Sequence, residues 1–201
     1  ALWHLSPAVA VSAQMAEPDS LFAVRFLAGV RSASPLACDM IVRSLSTGWG
    51  WSRLNRDPDA VRDRQDVLRW ATGRRSDPSV IPPLRAGLED SDACVRRVSA
   101  RLLGRTRHPG AVEALLDALA SPNVRTRQLA AVGLGYAEDR SAVDPLLRGL
   151  RDDAVSVRAA AAWALGEIED GRAVAPLARL LRDDPDPGVR RAAALALGSM
   201  F

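Results

Sequence analysis

The sequence predicts an all-α solenoid, a stack of helical hairpins, and three observations support this class. A segment that begins at Val95 recurs at Thr126, at Val157 and, after one extra loop residue, at Val189, which gives a repeat of about 31 residues. Counted from position 0 at these residues, positions 0, 3, 4, 7 and 8 are mostly apolar, the spacing of one helix face. Each predicted helix has about ten residues, too few to be stable alone, so the hairpins must stack on one another.

The chain divides into an N-terminal segment and a repeat array. Residues 1–63 contain two predicted amphipathic helices and then a loop with two tryptophans, and we expect them to form a degenerate cap. The predicted repeats are 64–94, 95–125, 126–156, 157–188 and the half repeat 189–201. The half repeat ends on Leu197, Met200 and Phe201, so we expect either a longer natural chain or pairing of this end with another molecule.

A glycine stands at position 9 of each repeat, for example Gly104, Gly135 and Gly166. Glycine is common where a helix ends in the left-handed conformation, so we expect these residues to cap the first helix of each hairpin. A second apolar pattern follows after a short turn, as at Val112 and Leu115. Each repeat is therefore predicted to contain two helices.

The repeat resembles a known family. Val-Arg-x-x-Ala-Ala-x-x-Leu-Gly, followed by Asp-x-x-Ala-Val-x-Pro-Leu, is similar to the short HEAT repeat, a type also found in phycobilin lyase subunits. The resemblance covers residues 64–201 and departs from the pattern at Arg64, Gln65 and Thr126. It implies a right-handed α-solenoid in which the first helix of each hairpin lines a concave groove.

Charge is uneven along the chain. All 27 basic residues are arginines, against 24 acidic residues. Arginines exceed acidic residues by 11 to 7 in 64–125, whereas 1–63 has 6 of each and 126–201 has 10 against 11. Such an excess can steer anionic partners, although arginine richness is also common in GC-rich coding sequences. Nucleic-acid binding through the arginine-rich first repeats is therefore an alternative function.

The sequence contains no catalytic motif. Its histidines are His4 and His108, and it has no phosphate-binding loop, esterase elbow or dinucleotide-binding motif. Paired carboxylates such as Asp152 and Asp153 fall in predicted turns, where we expect them to cap the following helix. We predict no catalytic residue, no metal site and no cofactor. The resemblance leaves one enzymatic alternative, an accessory subunit of an enzyme such as a bilin lyase.

The compartment is predicted from the cysteines and the first residues. Cys38 and Cys94 lie far apart in sequence without metal-ligand spacing, so we expect both to be small helix residues in a reducing, cytoplasmic setting. Val11, Ser12 and Ala13 resemble a signal-peptidase site, which makes export the alternative. No apolar stretch is long enough for a membrane span.

Two positions of the repeat predict a binding surface. Position 6, occupied by Trp163, lies about 130° from the centre of the buried stripe, and position 10 lies on the same edge. These positions supply the candidate residues Trp70, Arg74, Arg101, Arg105, Tyr136 and Trp163. Trp, Tyr and Arg are the residues most enriched in binding hot spots. We predict a non-catalytic scaffold or adaptor that binds a protein partner along the concave groove. The alternative is that Trp163 only packs over its alanine-rich neighbour.

Overall fold

A computed structural model describes residues 19–47, 78–106 and 108–201. Within these ranges all regular elements are helical, as the repeat predicts. The α-helices are α1 (Asp19–Val30), α2 (Pro35–Thr47), α3 (Ile81–Gly87), α4 (Ala93–Arg105), α5 (Pro109–Leu119), α6 (Val124–Ala137), α7 (Val143–Gly149), α8 (Val155–Ile168), α9 (Val174–Asp183) and α10 (Pro187–Ser199). Short 3₁₀ turns precede α3, α7 and α9.

The helices of the array form two rows. The first helices of the hairpins, α4, α6, α8 and α10, pack on one another in chain order. Each of the second helices, α3, α5, α7 and α9, packs on the first helix of the following hairpin. One leucine from each second helix is fully buried between the rows, and these leucines are Leu84, Leu115, Leu146 and Leu177. These leucines follow one another at intervals of 31 residues and occupy equivalent places in successive hairpins.

The described glycines at position 9 lie within helices and do not cap them, contrary to the prediction. Gly104, Gly135 and Gly166 lie inside α4, α6 and α8, and the left-handed residues that follow two of these helices are Glu138 and Glu169. A Cβ at Gly135 would lie 2.9 Å from the Cα of Ala164, and a Cβ at Gly166 would lie 2.7 Å from the Cα of Ala196. Glycine is therefore required because the next first helix passes so close to this position.

Neighbouring first helices approach one another closely. Gly135 and Gly166 allow Ala164 and Ala196 of the next first helix to lie almost in contact with their backbones. We expect this row to line the concave groove that the family resemblance implies.

The N-terminal segment forms the two predicted helices. α1 packs on α3 and α4, and α2 packs on α4. Cys38 of α2 is disulfide-bonded to Cys94 of α4, with 5.6 Å between their Cα atoms, so the expectation that both are unpaired is wrong. The two cysteines are distant in sequence, but α2 lies along α4 and brings them together. The disulfide gives no support to the reducing compartment that unpaired cysteines would indicate.

Successive turns are joined by bidentate ion pairs, which we call the arginine–aspartate ladder. The pairs are Arg31 with Asp90, Arg127 with Asp152, and Arg158 with Asp184. Asp152 also accepts a hydrogen bond from the N–H of Ala154, so its carboxylate binds the turn and an arginine rather than capping α8 as predicted. The ladder thus ties α6 and α8 each to the turn that precedes the next first helix.

The first rung of the ladder comes from the N-terminal segment. At the repeat position that Arg127 and Arg158 occupy, the repeat that contains Asp90 has Gln65 instead of an arginine. Gln65 lies outside the described residues. Arg31, just after α1, instead donates to both carboxylate oxygens of Asp90, at 3.0 and 2.6 Å. The segment 19–47 is therefore joined to the array by this ion pair and by the disulfide. None of the described helices has both the length and the apolar character needed to cross a bilayer.

Candidate functional site

Three of the predicted binding residues form a cluster across neighbouring first helices. The guanidinium carbon of Arg101 on α4 lies 3.8 Å from the ring centroid of Tyr136 on α6. The ring of Tyr136 meets that of Trp163 on α8 edge to face, with centroids 5.0 Å apart and planes at 71°. These cation–π and aromatic contacts connect three consecutive hairpins.

Glycines on the preceding first helices leave room for the side chains of Tyr136 and Trp163. A Cβ built at Gly104 would lie 2.7 Å from the Cβ of Tyr136. A Cβ built at Gly135 would lie 2.6 Å from the ring of Trp163. Tyr136 and Trp163 therefore each pack against the glycine of the preceding first helix, Tyr136 through its Cβ and Trp163 through its ring. Trp163 is half-buried and also packs on the core, so the contact expected with the neighbouring repeat is present.

Charge changes sign along this surface. Arg101 is only 6% exposed, and burial lowers the pKa of its guanidinium, as does the positive charge of Arg105. At the α8 end, desolvation raises the pKa of the Glu167 carboxyl, and the like charges of Glu138 and Glu169 raise it further. The described part of the cluster therefore runs from arginine through two aromatic rings to glutamate.

A groove of about 470 Å³ opens beside the cluster, between first helices. It is lined by α4 and α6, with Arg97, Gln128, Val132 and Tyr136 among its residues, and by Val42 of α2. Sequence reasoning missed the part played by α2. The only sequence signal that could have indicated it is the pair of cysteines that joins α2 to α4.

The remaining predicted residues are not part of the cluster that the structure describes. Arg105 is half-buried in the last turn of α4 and acts on Arg101 through its charge. Trp70 and Arg74 lie outside the described residues. In the described ranges, no group of histidine, cysteine and carboxylate side chains could hold a metal ion.

The chain is similar to known proteins at the levels of family and structure. The family HEAT repeats matches residues 52–132 and 112–198. No curated protein sequence matches the chain. The fold is similar to that of human deoxyhypusine hydroxylase in complex with glycerol, with a TM-score of 0.52 and 19% identity over 98% of this chain and 85% of that one.

Two further solved structures are similar at lower TM-scores. The complex of CpcE and CpcF of phycocyanin lyase from Nostoc sp. PCC7120 gives a TM-score of 0.42 at 22% identity, over 98% of this chain and 78% of that one. A designed armadillo repeat protein in complex with the peptide (KR)4 gives 0.49 at 15% identity, over 97% of this chain and 99% of that one.

Proposed function

Because the chain belongs to the HEAT-repeat family, we propose that it is a non-catalytic scaffold whose concave surface binds a protein partner. The observation that carries the proposal is the Arg101, Tyr136 and Trp163 cluster beside the groove. Both rings are half-buried, so part of each remains accessible while its base is fixed by packing. Rigid, partly exposed aromatic rings next to arginine are typical of binding hot spots.

A protein partner fits the surface better than nucleic acid does. Several arginines of the basic stretch already have partners, since Arg85 is paired with Asp117 and Arg97 with Asp39, and Arg101 is buried under Tyr136. Their charges are therefore only partly available for phosphates. A protein partner predicts a shallow dependence of affinity on salt, and nucleic acid predicts a steep one.

The test uses a partner captured by the wild-type chain and identified by mass spectrometry. Trp163→Ala should weaken binding of that purified partner by roughly 2 kcal/mol, because the ring is lost from the surface. Arg179→Ala, which changes an exposed residue of α9 in the other row, is the matched control and should leave affinity unchanged.

Thermal melting separates binding from packing. If Trp163→Ala lowers the melting temperature by several degrees but leaves the affinity for the partner intact, the ring is a packing residue and the proposal for this surface fails. The same variant with a normal melting curve and weakened binding supports it.

A further inference from the structure

One rung of the arginine–aspartate ladder has no carboxylate. The turns carry Asp90, Ser121, Asp152 and Asp184 at the same repeat position. At this position the side chain accepts a hydrogen bond from the backbone N–H two residues later. The Ser121 hydroxyl accepts from Asn123 at 3.2 Å, as Asp152 accepts from Ala154. A hydroxyl cannot replace the two acceptor oxygens that a bidentate arginine requires. The arginine that should meet this turn is Arg96.

Arg96 is held in the same way as the arginines of the complete rungs. Its Nη1 donates to the carbonyl oxygens of Asp90 and Ser91, at 2.5 and 2.6 Å. Nη1 of Arg127 and Nη1 of Arg158 likewise each donate to two turn carbonyls. Their Nε and Nη2 atoms donate to the two oxygens of an aspartate, at 2.7 to 3.1 Å. Arg96 is therefore fixed in the orientation that presents its Nε and Nη2 edge to a carboxylate.

That edge of Arg96 has no hydrogen-bond partner among the described residues, and the side chain is only 9% exposed. It opens on a depression of about 580 Å³, lined by Asn123, Arg125 and Gln128. The groove beside the Tyr136 cluster shares Arg96, Arg125 and Gln128 with this depression. The two spaces therefore adjoin at Arg96.

We propose that Arg96 is a binding site for an aspartate or glutamate side chain of an acidic peptide segment, which occupies the place that Asp152 and Asp184 fill in the later repeats. The exposed cation of Arg125 adds attraction at the mouth of the site. This site goes beyond the proposed function, because it names the chemistry of a ligand and does not depend on Trp163 as an anchor.

The surroundings favour a single carboxylate over a chain of phosphates. Glu89 and Asp90 line the same depression, so a continuous polyanion would meet like charges there. In the complete rungs the same arginine edge binds a carboxylate. A peptide can place one acidic side chain at Arg96 and neutral side chains next to Glu89.

The test supplies the missing carboxylate by a substitution at Ser121 in the chain itself. Ser121→Asp should complete the rung, so the variant should melt at a higher temperature and bind a fluorescent peptide with one glutamate among neutral residues at least about tenfold more weakly than wild type. Ser121→Asn keeps a similar shape without the charge and should bind as wild type does. Asn123→Asp adds the same charge to the same turn, at the position where Asp186 caps α10, and should weaken binding much less.

Binding is measured by fluorescence anisotropy at low and physiological salt. The comparison probes are the same peptide with glutamine in place of its glutamate, and oligothymidylate of similar length. No binding of the glutamate peptide by wild type overturns the proposal, and so does equal binding by Ser121→Asp. If wild type binds oligothymidylate more strongly than the peptide, and Ser121→Asp weakens that binding, the ligand is a phosphate and the peptide assignment is overturned. Trp163→Ala should not change the affinity for the glutamate peptide, so a failure of this site and a failure of the scaffold proposal are distinguishable.

Discussion

Glycine at position 9 determines how closely neighbouring first helices approach. Ala196 of α10 lies so near Gly166 that any side chain there would push the two helices apart, whereas nothing lies within 4 Å of a Cβ built at Gly198. The same repeat position is thus crowded in α8 and open in α10. This contrast makes the role of the glycine testable with two matched substitutions.

Gly166→Ala should destabilise the chain by about 1 to 3 kcal/mol, because the new methyl group overlaps the backbone of Ala196. Gly198→Ala should instead stabilise it by about 0.5 to 1 kcal/mol, because alanine is the better helix former and has room. Urea denaturation of both variants measures the difference. Equal effects of the two substitutions would contradict the close-approach explanation.

At the level of elements, the hairpins are joined by ion pairs and by one disulfide as well as by apolar contacts. The Arg158 and Asp184 pair is well buried, with its side chains 13% and 4% exposed. Its neighbour Asp183 is 70% exposed and lies 4.0 Å from Arg182. Two adjacent aspartates therefore differ in environment, and only one is part of the ladder.

Asp184→Ala should cost about 3 kcal/mol at neutral pH, because it leaves a largely buried guanidinium without its carboxylate. Asp183→Ala should change stability by less than about 0.5 kcal/mol. The hydrogen bond from Arg158 lowers the pKa of Asp184, so this contribution is present above the carboxyl pKa of the unfolded chain and is lost as pH falls through the folded pKa. Denaturation at several pH values tests this, and a pH-independent cost for Asp184→Ala would contradict it.

The disulfide should stabilise the attachment of α2 to the array. It closes a loop between positions 56 residues apart, and a loop of this size is expected to contribute about 4 kcal/mol. Cys38→Ser should therefore lower the melting temperature, and a reducing agent should have the same effect on wild type but none on the variant. A melting curve of wild type that is unchanged by reductant would mean that the bond is absent in solution or contributes nothing.

At the scale of the whole molecule, the stability of a stacked array is collective. Ala161 is fully buried on α8, where a Cβ at Gly149 would lie 3.2 Å from its methyl group. Ala161→Leu should cost about 1 to 3 kcal/mol through overpacking, and hydrogen exchange should show lost protection in the neighbouring hairpins as well. Loss of protection in α8 alone would contradict nearest-neighbour coupling.

The sequence predicts the repeat and its helices well, because both depend on local periodicity. Val112 and Leu115 mark α5, and the glycine at position 9 marks the end region of each first helix, although its function was assigned wrongly. Apart from the packing of Trp163 on the neighbouring repeat, contacts between repeats could not be predicted. The glycine contact, the disulfide and the ladder all depend on how hairpins are placed against one another, which periodicity within one hairpin does not specify.

The proposed protein partner lies along the row of first helices. A photo-crosslinking amino acid at Gln128, in the groove, should join the chain to its captured partner, and the same residue at Arg148, exposed on α7, should not. Cross-linked products are identified by mass spectrometry. Cross-links from position 128 but not 148 are the result that the scaffold proposal predicts, and cross-links from 148 alone would contradict it.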